Sequence, residues 1–160
     1  MNDLWKYSNG NWTRISGNNT ENAPGIYGTK GIPSPSNYPG ARQSAVGGID
    51  SFGSFWLFGG VGYDSNRNLG NKINNGKNLT YLKVSLKGSL NDLWKYSNGS
   101  WTWISGNNTI NASGIYGTKG IPSPSNYPGA RESAVGVIDS SGSFWLFGGH
   151  GYDSNGNLGN

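Results

Sequence analysis

The side chains able to do chemistry are few, and their spacing argues against most of it. His150 is the sole histidine and the chain has no cysteine. A metal site of several imidazoles or thiolates within one chain is therefore excluded, and no Ser-His-Asp grouping recurs. Glu21 and Glu132 lack the repeated acidic partners that glycoside hydrolysis requires. The runs Asp64-Ser-Asn66-Arg-Asn68 and Asp153-Ser-Asn155-Gly-Asn157 superficially match a calcium loop. They lack its glycine at the sixth position and its bidentate glutamate at the twelfth, and Asx turns explain them equally well. Phosphate-cradling glycine motifs are absent. What remains is binding: Tyr27, Lys30 and Tyr38, with Tyr116, Lys119 and Tyr127, bring aromatic faces and donors together in two loops that share GIYGTKGIPSPSNYPGAR without a change. Such groups suit a sugar or a peptide, or else pack beneath the loops as satellite cores. No cofactor and no catalytic residue is expected.

The elements that position these loops are repeated. Residues 2–71 align with residues 91–160 at a constant offset of 89, without a gap and with nine differences in seventy positions. The differences are Asn11/Ser100, Arg14/Trp103, Glu21/Ile110, Pro24/Ser113, Gln43/Glu132, Gly48/Val137, Phe52/Ser141, Val61/His150 and Arg67/Gly156. With 28 glycines, seven tryptophans, nine tyrosines and no sustained 3.6-residue apolar periodicity, the chain reads as all-β, a single unit of short strands joined by turns. No apolar run approaches the roughly 18 residues of a membrane span. Met1 is followed by Asn-Asp-Leu-Trp, which lacks the basic start and apolar stretch of a signal peptide; the expectation is that the chain is not exported or that its leader lies outside this sequence, and no compartment is assigned.

Within the first copy, residues 3–8 (DLWKYS) and 12–16 (WTRIS) form a hairpin about the Asn-Gly of 8–11, where positive φ is tolerated. Residues 17–40, carrying Pro24, Pro33, Pro35 and Pro39, are a long connection. Two more strands, 41–50 (ARQSAVGGID) and 54–60 (SFWLFGG), follow and are joined by a short turn.

A double glycine closes a hydrophobic strand (Gly59-Gly60 and Gly148-Gly149), a tyrosine follows in the next strand (Tyr7, Tyr96) and a tryptophan comes a few residues on (Trp12, Trp101). A Pro-x-x-Arg then opens another strand (Pro39 to Arg42, Pro128 to Arg131). This series resembles the kelch repeat over both copies. The resemblance implies β-propeller blades of four strands, a to d from the axis outward: 41–50 as strand a, 54–60 as b, 92–97 as c and 101–105 as d. Some kelch-type propellers resemble galactose oxidase, whose copper site needs paired histidines and a Cys-linked tyrosine; this chain lacks both. The tryptophans recurring at equivalent strand positions then serve packing between blades. Arg42 and Arg131 serve hydrogen bonding between blades rather than anion binding, and Trp103, opposite Arg14, faces outward.

The phase implied by that assignment is permuted, c-d-a-b, with about two blades per chain and half a blade at each side. Half blades expose edges that invite strand pairing, and a ring needs roughly four to eight blades. The expectation is a homo-oligomer in which the c and d strands of one chain complete the a and b strands of another, three chains giving about six blades. Its biological role would be that of a non-enzymatic interaction scaffold for a protein or glycan ligand. The alternatives are a glycan-binding lectin using the repeated tyrosine-bearing d–a loops, and a fragment of a longer propeller. In such a blade the a–b and c–d turns share one face, and the long d–a and b–c connections share the other.

Residues 72–89 (KINNGKNLTYLKVSLKGS) interrupt the repeat between strands b and c. Thr80, Leu82, Val84 and Leu86 alternate with Tyr81, Lys83, Ser85 and Lys87, the pattern of an extra strand with one apolar face. Asn74-Asn75-Gly76 is a candidate turn. The segment is either a surface ornament or a partner-binding strand using Tyr81, Leu82, Lys83, Val84, Leu86 and Lys87. The two copies hold eight basic and eight acidic residues, so the net charge of +4 belongs wholly to Lys72, Lys77, Lys83 and Lys87. A distributed phosphate-tracking surface, and hence nucleic acid as partner, is not expected.

Overall fold

The structure is a computed structural model that describes residues 1–66 and 87–160 in full and the backbone of residues 72–74 and 79–81. Every element among these residues is a β-strand, and no helix is long and apolar enough to cross a membrane. The strands are β1 (Leu4–Ser8), β2 (Asn11–Ser16), β3 (Arg42–Gln43), β4 (Val46–Ile49), β5 (Phe55–Phe58), β6 (Val61–Gly62), β7 (Lys72–Asn74) and β8 (Leu79–Tyr81). They continue with β9 (Gly88–Ser89), β10 (Leu93–Ser97), β11 (Ser100–Ser105), β12 (Arg131–Glu132), β13 (Val135–Ile138), β14 (Phe144–Phe147), β15 (His150–Tyr152) and β16 (Leu158–Gly159).

The central element is a four-stranded antiparallel sheet of order β4-β5-β10-β11, the order expected for strands a to d. Its register is continuous, with Val46, Gly47, Gly48 and Ile49 opposite Phe58, Leu57, Trp56 and Phe55. Those four residues in turn face Leu93, Trp94, Lys95 and Tyr96. Two further hairpins, β1-β2 and β13-β14, each form a two-stranded sheet of their own. Both Asn-Gly hairpin turns have positive φ at both central residues, Asn9 at 51° and Gly10 at 79°, Asn98 at 49° and Gly99 at 79°. This is the mirror-image turn whose twist matches that of the flanking strands.

The reading of 41–50 as a single strand needs correction. Ser44 sits at φ 54° and splits 41–50 into β3 and β4, whereas 54–60 holds the one strand β5, which Gly59 and Gly60, at 62° and 90°, close before the separate β6. The breaks create a separate three-stranded sheet, β3-β6-β9, matched in the second copy by β12-β15-β16. A Cβ on Gly60 would stand 2.5 Å from the Gln43 carbonyl oxygen, which is why glycine is required there. The insertion rejoins the fold through this sheet. Gly88 and Ser89 pair with β6 where Leu158 and Gly159 pair with β15 in the second copy. Upstream, β7 and β8 pair as an antiparallel hairpin. The expected strand at Leu82, Lys83, Val84 and Leu86, and the turn at Asn75-Gly76, lie outside the described residues.

Side chains on one face of the four-stranded sheet form the core. Tyr27, Trp94 and Trp101 are buried there, with Leu4, Tyr38, Phe55, Leu57, Tyr96 and Trp103 against them. The aromatic pairs meet edge-on or tilted, Trp94 and Trp101 at 6.2 Å and Tyr27 and Trp103 at 5.1 Å between centroids. These geometries are worth about 0.5–1.5 kcal/mol per pair beyond the burial itself. Tyr27 and Tyr38 belong to the 17–40 connection, which folds over the sheet and lays Gly31 and Ser34 along its outer strand. Their N–H groups donate to the Trp103 and Trp101 carbonyls at 2.8 and 3.2 Å, closing an edge that would otherwise be open.

Candidate functional site

The most organised polar site is a buried carboxylate at the junction between the two copies. Asp92 opens β10 and is fully buried. It receives a bidentate ion pair from Arg42, Nη1 to Oδ1 at 2.7 Å and Nη2 to Oδ2 at 2.8 Å. The Tyr27 hydroxyl donates to Oδ2 at 2.5 Å and the Trp94 indole N–H to the same oxygen at 2.7 Å. Arg42 is held for this task by its own chain, donating from Nε to the Gly40 carbonyl at 3.1 Å and from Nη1 to that of Gly59 at 3.0 Å. A fork of five donors in fixed geometry matches a carboxylate in a way lysine cannot. The adjacent carboxylate keeps the guanidinium protonated despite its burial. Burial, then the neighbouring negative charge of Asp92, pushes the Tyr27 hydroxyl well above its ordinary range, so Tyr27 is a donor throughout the physiological range.

The offset of 89 gives this site two incomplete counterparts. One holds Arg131, which donates from Nε to the Gly129 carbonyl at 3.1 Å and from Nη1 to that of Gly148 at 3.0 Å, as Arg42 does. Its Nη2 reaches the Tyr116 hydroxyl at 3.4 Å; Asp153 lines the cleft beside it, but among the described residues no carboxylate forms an ion pair with Arg131. The other holds Asp3 and Trp5, joined through the indole N–H at 2.7 Å, with no arginine or tyrosine hydrogen-bonded to Asp3 among the described residues. The Trp5 hydrogen bond holds the Asp3 carboxyl below its usual range. Arg131 and Tyr116 line an open cleft of about 300 Å³ with Gly148, Tyr152 and Asn157.

The residues singled out from sequence fall into distinct places. Tyr27 lies in the buried cluster rather than on a surface. Lys30 donates to the Gly106 carbonyl at 2.7 Å and stands 4.3 Å from the Trp103 ring centroid. Tyr38 bridges Ile26 through its backbone and accepts from the Asn18 amide at 3.4 Å. In the second copy Tyr116 and Lys119 are exposed, while Tyr127 is half-buried and bridges Ile115. The structure thus brings the first-copy trio onto the neighbouring sheet and leaves the identical second-copy residues without one. Trp101 is buried and donates to the Ser16 hydroxyl at 3.0 Å, whereas Trp12 is exposed. Of the insertion's candidates, Lys87 is exposed beside Arg42 and Tyr63, Tyr81 ends β8, and Leu82, Lys83, Val84 and Leu86 lie outside the described residues.

Sequence reasoning missed the acidic residues. Asp92 and Asp3 read as strand starts, yet a carboxylate two residues before a packing tryptophan in each copy was the available signal. Asp50 and Asp139 were also missed. Asp50 accepts from the Phe52 and Ser54 N–H groups at 3.0 and 2.8 Å and from the Trp56 indole at 2.9 Å, fixing the β4–β5 turn. These bonds, that of Trp56 foremost, hold its carboxyl down to about 2. Asp153 spends its oxygens on the Asn155 and Asn157 N–H groups, both at 2.8 Å, and on the Asn157 amide at 3.0 Å, an Asx turn. Among the described residues no three His, Asp or Glu side chains converge as a metal site. No family model, curated protein or solved structure is significantly similar to the chain.

Proposed function

We propose that the chain is the repeating unit of a kelch-type β-propeller, built from identical copies that complete one another's four-stranded blades, and that the ring acts as a non-enzymatic scaffold for protein partners. One observation carries this reading: identical side chains differ in exposure according to whether a neighbouring repeat covers them. Trp94 is 0% exposed and Trp5 48%, Trp101 3% and Trp12 67%, Phe58 4% and Phe147 81%, Tyr27 3% and Tyr116 56%. Burying a large apolar side chain is worth about 1.5–3 kcal/mol. Exposed apolar side chains of this kind, clustered at the edges of the β1-β2 and β13-β14 hairpins, mark candidate interaction surfaces.

The scaffold role rests on the surface that blade completion leaves uncovered. Ile32 is 58% exposed and Ile121 62%, the same residue of the same loop in both copies. A ring would therefore repeat that apolar contact around one face, and repetition raises avidity without strong single sites.

Gel filtration with light scattering tests the reading. The expected mass is an integral multiple of 17.0 kDa, most simply three copies for about six blades. A folded, non-associating monomer overturns it.

A further inference from the structure

We infer that Asp3 of one copy is the ligand for Arg131 and Tyr116 of the next, and that two copies join head to tail by pairing β1 with β14 in the register that β10 and β5 use within the chain. The inference rests on the self-assembly reading above and specifies its contact.

The template is internal. Leu93, Trp94, Lys95 and Tyr96 face Phe58, Leu57, Trp56 and Phe55. Displaced by 89 positions, the same residue types set Leu4, Trp5, Lys6 and Tyr7 of one copy opposite Phe147, Leu146, Trp145 and Phe144 of the next. All eight are unchanged between template and junction. The two halves also hold the template's geometry before they meet. Asp3 is oriented by Trp5 at 2.7 Å, as Asp92 is by Trp94 at 2.7 Å. Arg131 is braced on Gly129 and Gly148 at 3.1 and 3.0 Å, as Arg42 is on Gly40 and Gly59. Such preorganisation lowers the ordering cost of association. Charge is complementary across the junction, since Arg131 has no ion-pair partner among the described residues and Asp3 supplies a carboxylate.

Space is complementary as well. A Cβ added to Gly59 would meet the Arg131 and Leu90 carbonyl oxygens at 2.7 and 3.0 Å, whereas one added to Gly148 meets nothing within 4 Å. The chain segment that closes over Gly59 thus has no counterpart over Gly148. Beside β1, a cleft of about 600 Å³ lined by Leu4, Trp5, Tyr7, Ile49, Phe55 and Tyr96 lies where β14 of the neighbouring copy would enter. The contact is heterologous, a different patch on each partner, so copies related by a rotation close into a ring.

Because the chain has no cysteine, a disulfide trap reads the register directly. Lys6→Cys and Trp145→Cys chains, mixed and mildly oxidised, should give a covalent pair. Lys6→Cys with Ser143→Cys, two residues out of register, should give little. Asp3→Asn placed in the Lys6→Cys chain should reduce the yield, consistent with a roughly tenfold to hundredfold weaker junction on losing a charged hydrogen-bond partner. Absence of the specific pair while light scattering still finds a multimer overturns this contact and leaves self-assembly standing; a monomer overturns both. Equal yields from Trp145→Cys and Ser143→Cys, or an Asp3→Asn chain that pairs as well as its parent, also overturn it.

Discussion

Arg42 and Asp92, fifty positions apart, form a bidentate ion pair whose side chains are 5% and 0% exposed, and it ties the first copy of the repeat to the second. An ion pair so buried is held in place by geometry, since two desolvated charges gain little net stability over apolar substitutes while the loss of either partner strands the other. Asp92→Asn is therefore expected to destabilise the chain by about 3–5 kcal/mol, the range for breaking a buried pair. Asp3→Asn, the same change at the equivalent position, leaves no buried arginine behind within the chain and should barely move monomer stability. Parallel denaturant titrations at a concentration low enough to keep copies apart make the comparison, and equal losses would contradict it.

Tyr27 depends on the same carboxylate. Its raised proton affinity means that the folded chain resists ionising a group that ionises freely near pH 10 when unfolded. Stability from this source is complete below pH 10 and drains away above it as the unfolded chain loses a proton the folded one keeps. Tyr27→Phe should cost about 1.5–3 kcal/mol at neutral pH, the worth of a hydrogen bond to a charged group. It should also flatten the fall in stability above pH 10. Tyrosinate absorbance followed beside circular dichroism reads both, and an unaltered alkaline slope would remove Tyr27 from the cluster's titration.

Much of this arrangement could be read from the sequence, and the limits have physical causes. The 89-residue period, the Asn-Gly turns and the aromatic alternation depend on local chemistry, and β4, β5, β10 and β11 follow in the expected order. The strand end at Gly59-Gly60 was legible in the double glycine, but the break at Ser44 was hidden, because Ala41 to Asp50 is a continuous β-compatible run and only contact with the neighbouring strands imposes the positive φ. The Asp92 cluster was hidden for a different reason. Its members lie at positions 27, 42, 92 and 94, and a carboxylate at a strand start looks solvated until the strand from the other copy is set beside it. For Tyr27, Lys30 and Tyr38 the sequence left open a ligand surface or packing beneath the loop; in the fold Tyr27 is buried in the core, Tyr38 packs against it, and Gly31 and Ser34 of the same loop close the sheet edge.

Acid should weaken the fold through the turn carboxylates. Asp50 is held down to about 2 by Trp56, Ser54 and Phe52, with Lys95 nearby, and Asp139 is lowered in the same direction by Ser141, Trp145 and Ser143. A depressed carboxyl contributes its full stability above the unfolded value near 4 and loses it as pH falls toward 2. The expected melting temperature is flat from neutral pH to about pH 5 and then declines. Asp50→Asn should lower the neutral plateau and shallow the decline; a variant with the parent's acid slope would show that this turn does not govern it.

Among the nine differences between the copies, one bears directly on the contact of the 17–40 loop with the neighbouring sheet in the two junctions of an assembled ring. Within the chain, Lys30 reaches the Gly106 carbonyl at 2.7 Å with its ammonium 4.3 Å from the Trp103 ring centroid. At the junction between copies, the same displacement sets Lys119 against Gly17 and Arg14, since Arg14 stands where the other copy has Trp103. A cation over an indole is worth about 0.5–2 kcal/mol, whereas two exposed cations repel. The junction between copies is then the weaker one, and salt, which screens exposed like charges, should relieve part of its penalty. Arg14→Trp replaces the repulsion with the stacked cation, so the assembly should survive roughly twofold to thirtyfold greater dilution per junction and lose that response to salt. Trp103→Arg should have the opposite effect inside the chain, lowering monomer stability by more than that, because Trp103 also packs edge-on against Tyr27 in the core, while leaving the junction between copies untouched. Dilution series by light scattering, at low and moderate salt, measure the first pair of outcomes and thermal melts the second. An Arg14→Trp chain that dissociates at the parent's concentration would mean that Lys119 does not meet β2 of a neighbouring copy.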